Sequence, residues 1–218
     1  MKGKGGLLRG GLLFKNVDYS GRLNVVGDIS LPLGYIGLPY QVVLKLYEPF
    51  TEHAILKDNT NIPTKELIKQ QMGIDKDLSP SDLKNFLTFI NEQPEDVSAE
   101  LEDNLVKIAE DIVKDKNIIY KRDPVQCRNN YMSGYIRVDR NSRVIHLCPL
   151  DCPRTTGDFD GDTFAVYPLF SKEANEQAIE HMNPRTSKFA WTDPINSNNI
   201  VYKLDLDAVA NIYTATKE

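Results

Sequence analysis

Three aspartates, Asp158, Asp160 and Asp162, alternate along Thr155-Thr156-Gly157-Asp158-Phe159-Asp160-Gly161-Asp162-Thr163-Phe164-Ala165-Val166. In a regular strand, positions i, i+2 and i+4 share one face. In a tight loop hinged at Gly157 and Gly161 the same three residues converge on one point. Either way like charges gather within a few ångströms, which is costly unless a cation neutralises them. A donor set made only of oxygens selects a hard ion, so Mg²⁺ or Mn²⁺ is the expected partner. Three readings compete. A solvated acidic turn is the plainest, but Phe159 interrupts the acids and an apolar strand follows at once, which ties the loop to a core. A calcium EF-hand needs Gly at loop position six and Glu at position twelve. Counted from Asp158 those places hold Thr163 and Leu169, so that reading fails. The third is a Mg²⁺ site for phosphoryl or nucleotidyl transfer, where the metal activates an attacking hydroxyl and stabilises charge on the phosphate.

Other constellations carry less. His146, Cys148 and Cys152, with Cys127 as a fourth ligand, could suggest zinc. No Cys-x-x-Cys knuckle is present, and His146 and Cys148 stand two apart in an expected strand, so zinc is disfavoured and buried free thiols are expected. His53 and His181 are isolated, and Trp191 is read as a packing anchor. There is no nucleophilic Ser or Cys triad, and Gly3 to Gly11 lacks the Gly-Lys-Ser/Thr ending of a phosphate-cradling loop. Residues 1–22 do hold Lys2, Lys4, Arg9, Lys15 and Arg22 against Asp18 alone, interspersed with glycines that let backbone approach a bulky anion. On these residues alone, a solvated terminus explains the same stretch at least as well.

The elements that must position the acids follow from the flanking pattern. Leu23 to Val26 and Ile29 to Leu33 read as strands broken by glycine turns, and Gln41 to Tyr47 as a helix opened by Leu38-Pro39 and ended by Pro49. Residues 51–117 read as a helical insert. One helix follows Pro63-Thr64 to about Met72, one is capped by Ser79 or Ser81 and runs to about Asn91, and one is capped by Ser98 and runs through Lys116. In the last, Leu101, Leu105, Ile108, Ile112 and Val113 form an apolar stripe, and the acids are expected to face water. Ile118 to Tyr120, Tyr135 to Val138, Val144 to Leu147 and Thr163 to Tyr167 are strand-like. Ser171 caps a helix to about Met182, and a final helix is expected from Leu204 or Asp205. The order is α+β, with the sheet or barrel drawn from both ends of the chain.

Composition bounds the rest. The 218 residues are 41% hydrophobic and 26% charged, which is ordinary for a globular fold with a real core. No apolar run approaches the roughly 18 residues a membrane span needs, and Met1 to Gly11 has no signal-peptide pattern. Three cysteines favour a reducing compartment over a disulfide scaffold. The net charge of −5 hides a basic entry and an acidic stretch over residues 95–115.

Taken together these motifs resemble the largest, β′-type subunit of multisubunit DNA-dependent RNA polymerases. That family carries Asn-Ala-Asp-Phe-Asp-Gly-Asp, matched at five consecutive positions by Asp158 to Asp162. Its Leu-His-Pro-Leu-x-Cys is similar to Leu147-Cys148-Pro149-Leu150-Asp151-Cys152. Val17-Asp18-Tyr19-Ser20-Gly21-Arg22 matches a further motif, and Gly37-Leu38-Pro39 with Glu48-Pro49-Phe50 resemble the segment after it. Arg122-Asp123-Pro124 resembles the nucleotide-binding Arg-x-Pro, and Lys4, Arg9 and Lys15 fall on basic positions of the template-contacting switch segment. The chain departs from the family pattern at Thr156 (Asn), Cys148 (His), Thr163-Phe164 (Gln-Met) and Tyr167 (His).

The resemblance implies a double-psi β-barrel with a helical insert and flanking C-terminal helices. It divides the chain into a basic arm (1–22), a first barrel part (23–50), the insert (51–117), a second barrel part with the Asp loop (118–170) and a helical end (171–218). Asp158, Asp160 and Asp162 would be the catalytic metal ligands, with a second Mg²⁺ arriving with the nucleoside triphosphate. Arg122, Pro124 and Thr156 would bind substrate, ribose selection falling to Thr156 or to Arg122. Lys4, Arg9, Lys15 and Arg22 would contact template or hybrid phosphates, which positions without reading bases. A β-like subunit, the remaining β′ segments, DNA template, RNA product and triphosphates are the implied partners, without which the chain would not polymerise. The expected setting is the cytoplasm of a bacterial cell or virus-infected host, or a virion, with a split viral subunit or an excised fragment as the two origins. The competing reading is a non-catalytic barrel module for polymerase assembly or nucleic-acid binding.

Overall fold

The computed structural model describes residues 17–57, 62–125, 130–155, 157–187 and 216. The final helix expected from Leu204, Trp191 and Cys127 lie outside them. Six strands, β1 (Gly21–Gly27), β2 (Tyr35–Pro39), β3 (Asn117–Arg122), β4 (Met132–Asp139), β5 (Ile145–Leu147) and β6 (Thr163–Pro168), close into a barrel in the order β1-β5-β2-β4-β3-β6. β1 runs parallel to β5 and β2 parallel to β4, while the remaining pairs are antiparallel. This is the α+β barrel that the sequence predicts. Closure leaves no edge strand, and a barrel this small fills with its own side chains. Here those are Val25, Ile36, Leu38, Ile118, Tyr120, Met132, Ile145, Leu147, Phe164 and Val166, all buried.

Between β2 and β3 the chain leaves the barrel through α1 (Tyr40–Leu46), α2 (Glu48–Glu52), a π-helical turn (His53–Lys57), α3 (Ile62–Met72), α4 (Pro80–Glu92) and α5 (Ala99–Val113). Their apolar faces join the barrel core without a break, through Leu44, Tyr47, Phe86, Leu87, Leu101 and Leu105. A short α6 (Cys152–Thr155) precedes the Asp loop, and α7 (Lys172–Met182) packs on β3 and β4. Three asparagine and serine contacts fix α7 there. Asn117 N donates to Asn175 Oδ1 at 2.6 Å, Ser133 Oγ to Ala178 O at 2.8 Å, and Asn183 Nδ2 to Gly34 O at 3.2 Å. Among the described residues no helix is long and apolar enough to cross a membrane.

Four local expectations change. Ile29 to Leu33 is not a strand: Asp28 Oδ1 accepts from both the backbone N and the Oγ of Ser30, an Asx-type turn that leaves Ile29 94% exposed. The strand forms instead at Tyr35–Pro39. Pro49 does not end a helix but opens one, because its missing N–H is harmless in the first turn of α2. Thr51 Oγ1 then donates to Leu44 O at 2.9 Å, satisfying a carbonyl that the end of α1 leaves open. Ser98 stands at the N-cap of α5 but makes no side-chain cap bond, unlike Ser79, which closes a full capping box with Asp82. Finally, the acids of α5 face water as expected except Glu102, which is half-buried against Arg140 of the β4–β5 turn; Asp103, also on Arg140, and Glu95, on Arg143, stay exposed.

Candidate metal centre

The Asp loop is short and tied at both ends. On its N-terminal side Thr155 Oγ1 donates to Cys152 O at 2.9 Å, Gly157 N to Cys152 O at 3.3 Å, and Asn130 Nδ2 to Arg154 O at 2.6 Å. On its C-terminal side Val25 N of β1 donates to Asp162 O at 3.0 Å. β6 then enters the barrel between β1 and β3. Phe159 points back over β1, where a Cβ added to Gly27 would lie 3.1 Å from its ring. A side chain there would push the ring by a few tenths of an ångström, so the bare backbone lets it settle over β1. Gly161 has φ +118°, a conformation that side-chain-bearing residues rarely adopt. The alternation therefore operates in a loop and not along a strand.

This loop brings the three acids together. One carboxylate oxygen from each of Asp158, Asp160 and Asp162 lies within 4.8 Å of the others. It is the one cluster of three or more His, Cys, Asp or Glu side chains of this kind among the described residues. Asp158 and Asp160 are exposed and Asp162 is half-buried. Arg122, the last residue of β3, pairs with Asp162: Nη2 donates to Oδ1 at 3.1 Å, while Nε lies 2.5 Å from Oδ2 without hydrogen-bond alignment. Asp158 N also donates to Asp162 Oδ2 at 3.1 Å.

The two ends of the trio titrate in opposite directions. Asp158 is raised above the ordinary carboxylate range, first by its hydrogen bond with the Asp160 carboxyl, then by burial and by repulsion from Asp160 and Asp162. Asp162 is lowered, first by the Asp158 backbone N–H and then, against a desolvation penalty, by Arg122. The neighbouring Cys152 thiol is pushed up to about 11 by burial and by the charges of Asp158 and Asp162, so it is a neutral thiol and not a soft ligand. An octahedral Mg²⁺ holds its oxygens at about 2.1 Å, which separates them by roughly 3–4 Å. The observed spread needs only small side-chain rotations to meet that, so the donor set and its dimensions fit a hard divalent ion.

The other anticipated residues are distributed as follows. Arg122 joins the trio, and Pro124 lies two residues on, exposed, after a cis Asp123-Pro124 bond. Arg22 on β1 is held by Asp123 at 2.6 Å, and Lys121 pairs with the same carboxylate. Asp123 was not singled out by its sequence, since nothing in Arg-x-Pro marks the middle residue as an anchor. Lys121 Nζ also lies 5.8 Å from the Tyr131 ring and 6.0 Å from that of Tyr167. Lys4, Arg9, Lys15 and Thr156 fall outside the described residues. His146 faces Ser142 Oγ at 2.7 Å and the carboxylates of Asp28 and Asp139 at 3.9 and 3.6 Å, while Cys148 and Cys152 are buried free thiols.

Comparison with known proteins gives a consistent result. The family model described as RNA polymerase Rpb1, domain 2, matches residues 14–183. The chain is 32% identical over 182 residues to the DNA-directed RNA polymerase subunit beta′ of Dehalococcoides mccartyi, covering 84% of this chain and 12% of that protein. It is 30% identical over 178 residues to the same subunit of Ligilactobacillus salivarius, covering 82% and 12%. Against the beta′ subunit of Helicosporidium sp. subsp. Simulium jonesii it is 29% identical over 214 residues, covering 98% and 22%. The chain thus corresponds to a minor part of the length of these relatives.

Proposed function

Because the chain belongs to the RNA polymerase Rpb1 domain 2 family of β′-type subunits, we propose that it carries the metal-holding loop for nucleotidyl transfer in a DNA-dependent RNA polymerase. Asp158, Asp160 and Asp162 hold Mg²⁺ at the RNA 3′ end. When bound, the ion would lower the pKa of the attacking hydroxyl and neutralise charge on the phosphate, a task that a second ion carried by the triphosphate would share. Arg122, with Pro124 and Thr156, faces the incoming nucleotide, its planar fork suited to the ribose hydroxyls. Lys4, Arg9, Lys15 and Arg22 neutralise template or hybrid phosphates and set the register of the nucleic acid without reading its sequence. Arg22 reaches that role from its pairing with Asp123, so Asp123 acts as a positioning residue.

The observation that carries this reading is the convergence of three carboxylates on a glycine-hinged loop leading into β6, in a chain of this family. Repelling acids held together by the backbone are an expense without a cation. Among the described residues there is one barrel with one cluster of acids, and the chain matches only a minor part of its relatives' length. The active enzyme is therefore an assembly with a β-like subunit and further β′ segments. Purified alone, the chain binds Mg²⁺ weakly and makes no template-directed RNA. Asp160→Ala in the assembled polymerase tests the reading: RNA synthesis is abolished while subunit association persists. Unchanged synthesis would instead assign the barrel to assembly or nucleic-acid binding without catalysis.

A further inference from the structure

The carboxylate that a metal would use at Asp162 already has a cation on it. Arg122 Nη2 donates to Asp162 Oδ1 at 3.1 Å, and Nε stands 2.5 Å from Oδ2 as an ion pair without hydrogen-bond alignment. The Arg122 side chain is largely covered, with 25% exposed, so the pair is shielded from water while it lasts. Its backbone is fixed as well, since Arg122 is the last residue of β3 and is paired with Phe164 of β6. Only the side chain can move. Charge-assisted hydrogen bonds are among the stronger ones, and this ion pair cancels one of the three charges that would otherwise repel without relief.

We propose that Arg122 is a resident counter-ion of the aspartate trio, displaced from Asp162 when a divalent metal binds and thereby released toward the incoming nucleotide. This rests on the metal reading of the trio given above. A dication bound between the three carboxylates stands within a few ångströms of the guanidinium, and the two cations oppose one another across a single carboxylate. Metal and the Arg122–Asp162 pair are therefore antagonistic, and linkage makes the effect reciprocal: the factor by which the pair weakens metal binding is the factor by which bound metal weakens the pair. Two consequences follow. The metal-free loop stays folded because it carries its own neutralising charge. The nucleotide-facing arginine becomes available only after the metal is in place, which imposes an order on loading.

The test uses the full chain, with Mn²⁺ as a paramagnetic probe whose binding is read by electron paramagnetic resonance. Arg122→Gln is expected to bind Mn²⁺ about fivefold tighter or more, the low end of ordinary coupling between two sites. Arg122→Lys, which keeps the charge but loses the fork, falls between the two. On the unaltered chain, phenylglyoxal modification of Arg122, followed by peptide mass spectrometry, is expected to speed up when Mg²⁺ is added. That measurement decides the matter even if the Gln variant does not fold. Equal or weaker Mn²⁺ binding by a folded Arg122→Gln, or an Arg122 reactivity that Mg²⁺ leaves unchanged or lowers, overturns the proposal. If the unaltered chain and Asp160→Ala bind Mn²⁺ equally, the metal reading itself fails, and this inference with it.

Discussion

At the scale of single residues, Asp158 and Asp160 work against the fold that carries them. Asp158 is raised chiefly by Asp160, a sign that the two carboxylates disfavour each other's charge in the metal-free state. Asp160→Asn is accordingly expected to raise the urea midpoint of the metal-free chain while it lowers Mn²⁺ affinity. Loss of affinity together with a lower midpoint would mean that Asp160 is structural. Gly161 makes the complementary point. A Cβ there meets nothing within 4 Å, yet φ is +118°, so the penalty for Gly161→Ala lies in the backbone alone, about 1–3 kcal/mol by chemical denaturation. The trio and its glycine hinge were legible in the sequence because they are local. The Arg122–Asp162 pair was not, since it joins residues 40 apart through the register of β3 on β6. The grip of Phe159 on Gly27 escaped for the same reason.

At the scale of elements, legibility followed the strength of local signals. α4 and α7 begin after Ser79 and Ser171, where a serine side chain accepts from the backbone N–H three residues on. The serine before α5 looks identical in sequence but forms no such bond. Ser79→Ala is therefore expected to cost about 1 kcal/mol, and Ser98→Ala less than about 0.5 kcal/mol, in thermal unfolding. The capping box also gives α4 a pH dependence. Asp82 is lowered by its bonds from the Ser79 side chain and backbone, so its folded pKa lies below its unfolded one. That contribution is fully present above the unfolded value of about 3.9 and is lost as pH falls through the lower folded value. In acid titrations Asp82→Asn should unfold with a correspondingly shallower loss of stability. β2 was displaced in the sequence reading because Ile29 to Leu33 has strand-like residues, and only the Asp28–Ser30 turn shows that the chain is bending there. α6, with four residues, is too short to leave a periodic signal.

At the scale of the whole molecule, barrel and helices share one core, so they are expected to unfold together. Ile36, buried between β4 and β5, tests both this and the placement of β2. Ile36→Ala should cost about 2–5 kcal/mol, with helical and aromatic signals lost in one transition. Ile29→Ala, at a position the sequence made equally strand-like, should cost less than about 0.5 kcal/mol. The fold class was readable in advance because strands cluster at both ends of the described chain around a run of helices. Which strand lies beside which was not, since that depends on closure and not on any local pattern. The strand order has a consequence for synthesis on the ribosome. β1 ends at Gly27, but its two neighbours begin only at Ile145 and Thr163. At roughly 5–20 residues per second the nascent strand waits several seconds or more with both edges bare. For that interval a strand made early is the most vulnerable part of the polypeptide, and a chaperone that shields extended backbone has a defined window in which to act.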